Sequence, residues 1–143
     1  MQIGVETGKA VDQRRVFVID DDEVTRAALQ FMLHDEIETH ELATPEEAYE
    51  KGVDWLTPHV VMLAVSFLKS RGPDLVRDIM SRFSGVRILI VTTRDDEATA
   101  IEALKAGAHG AVVKPLTIEA VRKKVDTILG RAGGATLVQL GGL

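Results

Sequence analysis

Three consecutive aspartates, Asp20-Asp21-Asp22, follow directly on the apolar run Val16-Phe17-Val18-Ile19. Carboxylates crowded together resist ionising together, so such a cluster normally persists because a cation or a lysine neutralises it. Two later apolar runs end in matching chemistry: Ile88-Leu89-Ile90-Val91 runs into Thr92, a hydroxyl, and Ala111-Val112-Val113 into Lys114-Pro115, a cation. Acids, a hydroxyl and a lysine at the ends of neighbouring strands are the parts of a phosphoryl-transfer site. The acids hold a divalent ion there, and the other two groups stabilise charge on phosphoryl oxygens. The remaining run, Val60-Val61-Met62-Leu63, ends in Ala64, where a further carboxylate would be expected. A methyl group offers neither a nucleophile nor a ligand, so the site as written cannot be phosphorylated.

The elements that must carry these groups alternate in type. A first strand is expected from about Arg15 to Ile19, followed by a helix with an apolar stripe of Val24, Ala27, Ala28, Phe31 and Met32. Ile37 to Leu42 reads as a more polar edge strand. Thr44-Pro45-Glu46-Glu47 has capping-box spacing with proline at the first helical position. Pro58 precedes the third strand, and Gly72-Pro73 starts a helix with the stripe Leu75, Ile79, Met80 and Phe83. Strand four spans Val86 to Val91. Asp95-Asp96-Glu97 then opens a helix at its positive end, Gly107 closes it, and Ala111 to Val113 is strand five. The last helix carries Ile118, Val121, Val125, Ile128 and Leu129 on one side. Five strands alternating with five helices predict an α/β three-layer sandwich with a parallel sheet. In such sheets the ligand crevice lies outside the carboxyl ends of the strands, and Asp20, Asp21, Ala64, Thr92 and Lys114 all fall there.

Composition narrows the function. The 143 residues are 45% hydrophobic and 27% charged, with a formal net charge of −5 and no cysteine. That balance is a single globular domain without disulfides, zinc–thiolate sites or thiol catalysis. Acidity argues against a nucleic-acid partner, and no apolar run approaches membrane-spanning length. The N-terminal residues lack the order of a signal peptide, which makes the cytoplasm the expected compartment. Residues 1–13 read as a polar leader, 14–130 as the domain and 131–143 as a Gly-rich tail, too short for an effector domain.

Together, the Ile-Asp-Asp-Asp sequence after strand one, Thr92 after strand four and Lys114-Pro115 after strand five resemble the receiver domain of bacterial two-component response regulators. The resemblance covers roughly Arg15 to Leu129 and implies the flavodoxin-like strand order 2-1-3-4-5. It also implies that Asp20 and Asp21 match the acidic pair that holds Mg²⁺, that Ser66 matches the residue whose backbone carbonyl ligates the metal, and that Thr92 and Lys114 match the groups that contact the phosphoryl. Ala64 then occupies the phospho-acceptor position, so Mg²⁺ binding is expected to be weak or absent, with Lys114 free to pair with Asp20 or Asp21. Further departures are Leu68 for a common proline, Arg71 for a common acid and Ala111 for a common switch aromatic. The lost acceptor fits a natural pseudo-receiver, or a receiver carrying an aspartate-to-alanine exchange.

The resemblance implies a stand-alone, non-enzymatic module of phosphorelay signalling. Its expected partners are a sensor histidine kinase or phosphotransfer protein and a downstream protein effector, with a homodimer through the helix 4–strand 5–helix 5 face as a further option. It also implies a cis Lys114–Pro115 bond. The competing reading is a small haloacid-dehalogenase-like Mg²⁺-dependent phosphatase, with Asp20 as nucleophile and Asp22 as acid/base. Asp22 has a plainer role as the cap of the first helix. The four histidines read as surface or packing residues, and Tyr49 and Trp55 as packing residues.

Overall fold

The computed structural model describes residues 12–131. Strands β1 (Asp12–Ile19), β2 (Ile37–Leu42), β3 (Val60–Ala64), β4 (Arg87–Thr92) and β5 (Gly110–Val113) form one parallel sheet in the order 2-1-3-4-5. This is the flavodoxin-like three-layer sandwich. Around it lie α1 (Glu23–Leu33), α2 (Pro45–Lys51), α3 (Val65–Arg71), α4 (Asp74–Arg82), α5 (Glu97–Lys105) and α6 (Ile118–Leu129), with 3₁₀ turns at Asp54–Leu56 and Arg94–Asp96. The leader lies outside the described residues apart from Asp12 and Gln13, which belong to β1; of the Gly-rich tail only Arg131 is described.

Because successive strand residues point to opposite faces, each buried strand feeds two cores. Phe17, Ile19, Val61, Leu63, Ile88 and Ile90 pack under α2 to α5. Val16, Val18, Val60, Met62, Leu89 and Val91 pack with Leu29 and Leu33 of α1 and Val121 and Val125 of α6. Parallel register sets the strand ends level: Ile19 pairs with Leu63, Ala64 with Val91, and Thr92 with Val113. The residues after these pairs therefore emerge side by side.

Three local expectations change. Helix α1 buries Thr25, Leu29 and Leu33, while Val24 and Phe31 are 77% and 70% exposed. The sequence carries two apolar rows on this helix, and the four-residue spacing of 25, 29 and 33 faces the sheet because Leu29 and Leu33 are the larger aliphatics. Helix α3 is an added element, starting directly after Ala64. Val65 to Arg71 contains no glycine or proline to stop it, and Leu68 sits where the resembled family commonly has a proline, which would remove a helical N–H. Gly72 ends α3 at φ 88°, a conformation that favours glycine, and α4 follows. Finally, Trp55 is exposed rather than packed, whereas Tyr49 lies against Phe83 at a ring separation of 5.9 Å.

Candidate functional site

A cavity of about 200 Å³ opens over the carboxyl ends of β1, β3, β4 and β5, lined by Asp20, Asp21, Asp22, Ala64, Thr92 and Lys114, among others. The convergence follows from the level strand ends. Asp20 is only 3% exposed. Burial pushes its carboxyl above the ordinary range, while the Asp22 N–H, donating to Oδ1 at 2.8 Å, and the charge of Lys114 pull it back. Asp22 caps α1: its carboxylate accepts from Val24 N at 3.3 Å and from the Thr25 hydroxyl at 2.6 Å. The Thr25 hydroxyl holds that carboxyl below its ordinary range.

Lys114 directly follows β5, and the Lys114–Pro115 bond is cis, as the resemblance implied. Its ammonium does not pair with Asp20 or Asp21; Nζ donates instead to Thr25 Oγ1 at 3.1 Å. Thr25, one turn after Asp22, links the lysine to the α1 cap, its hydroxyl donating in turn to Asp22 Oδ2. Thr92 is buried and donates to the Thr93 carbonyl at 3.1 Å. Asp21 Oδ1 accepts from the Ser66 hydroxyl at 2.9 Å. Ser66 lies in the first turn of α3 and lines the cavity beside Asp21.

One contact across the mouth escaped the sequence reading. Lys69 on α3 meets Asp96 Oδ1 at 3.0 Å, while Thr93 donates to Asp96 Oδ2 at 3.1 Å. The lysine holds the Asp96 carboxyl below its ordinary range. The signal available for this contact was the unbroken helix-forming run after Ala64, which brings Lys69 to Asp96.

The receiver domain profile of response regulators matches residues 16–126. The chain belongs to this family. Among similar proteins, the transcriptional regulatory protein LnrK of Bacillus subtilis is 30% identical over 86% of this chain and 56% of its own length. The DNA-binding transcriptional activator DevR/DosR of Mycobacterium tuberculosis is 34% identical over 82% of this chain and 56% of its own. The receiver therefore spans about half the length of these relatives. The chemotaxis protein CheY1 of Helicobacter pylori is 34% identical over 59% of this chain and 69% of its own. A response regulator structure from Thermotoga maritima superposes with a TM-score of 0.73 at 22% identity, covering 83% of this chain and 99% of that one, which bears on fold alone.

Receiver domains are generally signalling modules rather than enzymes, and typically bind Mg²⁺ at the acidic pocket. Asp20 and Asp21 line the cavity as that acidic pair. Asp20 and Asp21 each already accept a hydrogen bond, and Ala64 offers no oxygen. Among the described residues no group of three or more carboxylates and imidazoles converges on one point. Mg²⁺ usually keeps several waters and takes one or two carboxylates, so Asp20 and Asp21 are the residues that would hold it here. The phosphatase reading finds no support in these matches, and its acid/base, Asp22, is engaged as a helix cap. No described helix is long and apolar enough to cross a membrane.

Proposed function

We propose that this receiver works in two-component signalling by protein–protein contact, without phosphorylation at position 64. Ala64 takes the place of the phospho-acceptor aspartate. The observation that carries the reading is its methyl group at the end of β3, lining the same cavity as Asp20, Asp21, Thr92 and Lys114. In a phosphorylatable site the carboxylate would attack the phosphoryl donor to form an acyl phosphate, and a methyl group cannot. The rest of the constellation retains its roles in outline: Asp20 and Asp21 as the acidic pair, Thr92 and Lys114 as phosphoryl contacts, and Ser66 beside the metal position. Their hydrogen bonds to one another and to neighbouring groups support a site that binds Mg²⁺ weakly or not at all.

Upstream, the surface around the cavity meets a sensor histidine kinase or phosphotransfer protein in the cytoplasm. Downstream, the face formed by α5, β5 and α6 meets an effector protein or a second copy. The test is Ala64→Asp with acetyl phosphate and Mg²⁺, read by intact mass. The variant should gain one labile phosphate while the parent chain gains none. Stable phosphorylation of the parent chain would overturn the reading. A folded but unreactive variant would show that the site has lost more than one carboxylate.

A further inference from the structure

The amino-terminal end of the sheet, opposite the acidic cavity, holds a hollow of about 130 Å³. It is lined by Arg14 of β1, His59 ahead of β3, Gly85 and Arg87 at the start of β4, and Ile128 and Leu129 at the end of α6. Liquid water takes about 30 Å³ per molecule, so the space matches about four waters. Whole organic ligands need roughly 300–1,000 Å³, so this hollow fits one small group whose remainder, if any, projects into solvent.

The groups that face it are donors and cations. Arg14 Nη1 donates to Leu129 O at 3.2 Å, and Arg87 Nη1 donates to Ile128 O at 3.3 Å. These bonds engage the last-turn carbonyls of α6 and fix both guanidiniums at the wall, with N–H groups to spare. His59 Nδ1 accepts from Arg15 N at 3.0 Å, which leaves the ring hydrogen on Nε2 as a further donor. The acid beside them, Asp12, is already shared between Arg14 and Arg131 at 2.8 and 3.1 Å. Hydrogen bonding from Arg14 holds that carboxyl far below the ordinary range, so it stays ionised and engaged. Among the described residues Arg87 pairs with no carboxylate; its side chain meets only the Ile128 carbonyl. The surplus positive charge reaches both neighbouring histidines. Burial lowers each of them first, and then Arg15 and Arg14 push His59 further down, as Arg87 does His109.

A cation would be repelled here, and an apolar group would strand the N–H donors. An oxyanion accepts from all of them, and a tetrahedral one with two charges suits two planar guanidinium forks. We propose that this hollow is an oxyanion site that takes a phosphate group, free or as the monoester end of a small molecule, between Arg14, Arg87 and His59. It lies at the other end of the strands from Asp20, Asp21 and Lys114, and its occupancy does not depend on position 64.

The test titrates the unmodified chain with sodium phosphate, and in parallel with sodium chloride at equal pH and ionic strength, without Mg²⁺. Amide shifts at His59, Gly85, Arg87 and Leu129 should saturate with phosphate and not with chloride. Arg87→Gln should weaken binding about tenfold or more, the factor for one charge-assisted hydrogen bond, and Arg87→Lys should weaken it less. Arg77→Gln, which removes an equal charge from α4, should leave the affinity unchanged. Phosphate also stabilises proteins generally by exclusion from their surface, so the parent chain should gain more Tm from it than Arg87→Gln does. Glycerol phosphate separates the two sources. Tighter binding than phosphate assigns the hollow to a monoester, equal or weaker binding to the free ion, and either supports the proposal. Shifts that never saturate, shifts that chloride reproduces, or an Arg87→Gln affinity equal to the parent's would overturn it. So would shifts confined to Thr92 and Lys114, which would place the phosphate at the opposite end of the sheet.

Discussion

At the residue scale, position 64 carries two opposed effects. Ala64 is the N-cap of α3, at φ −65° and ψ 138°, and has no side-chain cap. An aspartate there would gain about 1 kcal/mol as a cap. The same carboxylate would join Asp20 and Asp21 in a cavity where burial already penalises the Asp20 charge. Without Mg²⁺ the repulsion should win, and Ala64→Asp should melt below the parent chain; with millimolar Mg²⁺ the order should reverse. Thermal melts of both proteins in each condition decide it. Asp20 yields a related prediction. Its folded carboxyl is shifted up by burial, so its contribution to stability is present below the ordinary carboxyl range and is lost as pH rises through the folded value. Asp20→Asn should therefore raise Tm by about a few degrees at neutral pH, and a lowered Tm would show that the charge is already well compensated.

At the element scale, the added helix and the close approach of α2 to the core shape the molecule most. Gly52 ends α2 with its Cα against Phe83: a Cβ there would lie 2.6 Å from the ring edge. Phe83 cannot retreat freely, since its ring also packs on Phe17 at 6.1 Å and Tyr49 at 5.9 Å. Gly52→Ala should thus destabilise by about 1–3 kcal/mol through overpacking, measurable by denaturant unfolding. The backbone at Gly52 has φ −85°, so the cost is steric and not conformational. Helix α6 gives a milder case. The Thr117 hydroxyl accepts from Ala120 N at 3.1 Å, and Thr117→Ala should cost about 1 kcal/mol. A circular-dichroism melt would detect that loss.

Across the whole molecule, two histidines close the amino-terminal end of the sheet in the same way. His59 Nδ1 accepts from Arg15 N at 3.0 Å, and His109 Nδ1 accepts from Ile88 N at 3.0 Å. Each ring must keep that nitrogen unprotonated. Burial, aided by Arg15 and Arg14 at His59 and by Arg87 at His109, holds both below the ordinary value of 6.5. A histidine depressed on folding contributes stability that is fully present above its unfolded value and is lost as pH falls from there through the folded value. Stability should therefore decline as pH drops below about 6.5, and His59→Gln with His109→Gln should flatten that decline in a series of urea melts. A decline unchanged in the double variant would assign it to other groups.

The strand order came from the resemblance to the receiver family, while the sequence by itself determined the parallel sheet and the residues at its carboxyl end. Those follow from short-range rules: unbroken apolar strands must be buried on both faces, parallel strands need crossovers, and level strand ends bring Asp20, Ala64, Thr92 and Lys114 together. The capping box at Thr44 and the Gly107 stop are equally local, and both are in place, with Glu47 N bonded to Thr44 Oγ1 at 3.1 Å and Gly107 at φ 120°. Tertiary structure decided which apolar row of α1 is buried, because Val24 and Phe31 fit the helical period as well as Leu29 and Leu33 do. It alone determined that Lys114 meets Thr25 and that the Ser66 hydroxyl meets Asp21. Both depend on where α1 and α3 rest against the sheet, an orientation fixed by long-range packing that no local pattern encodes.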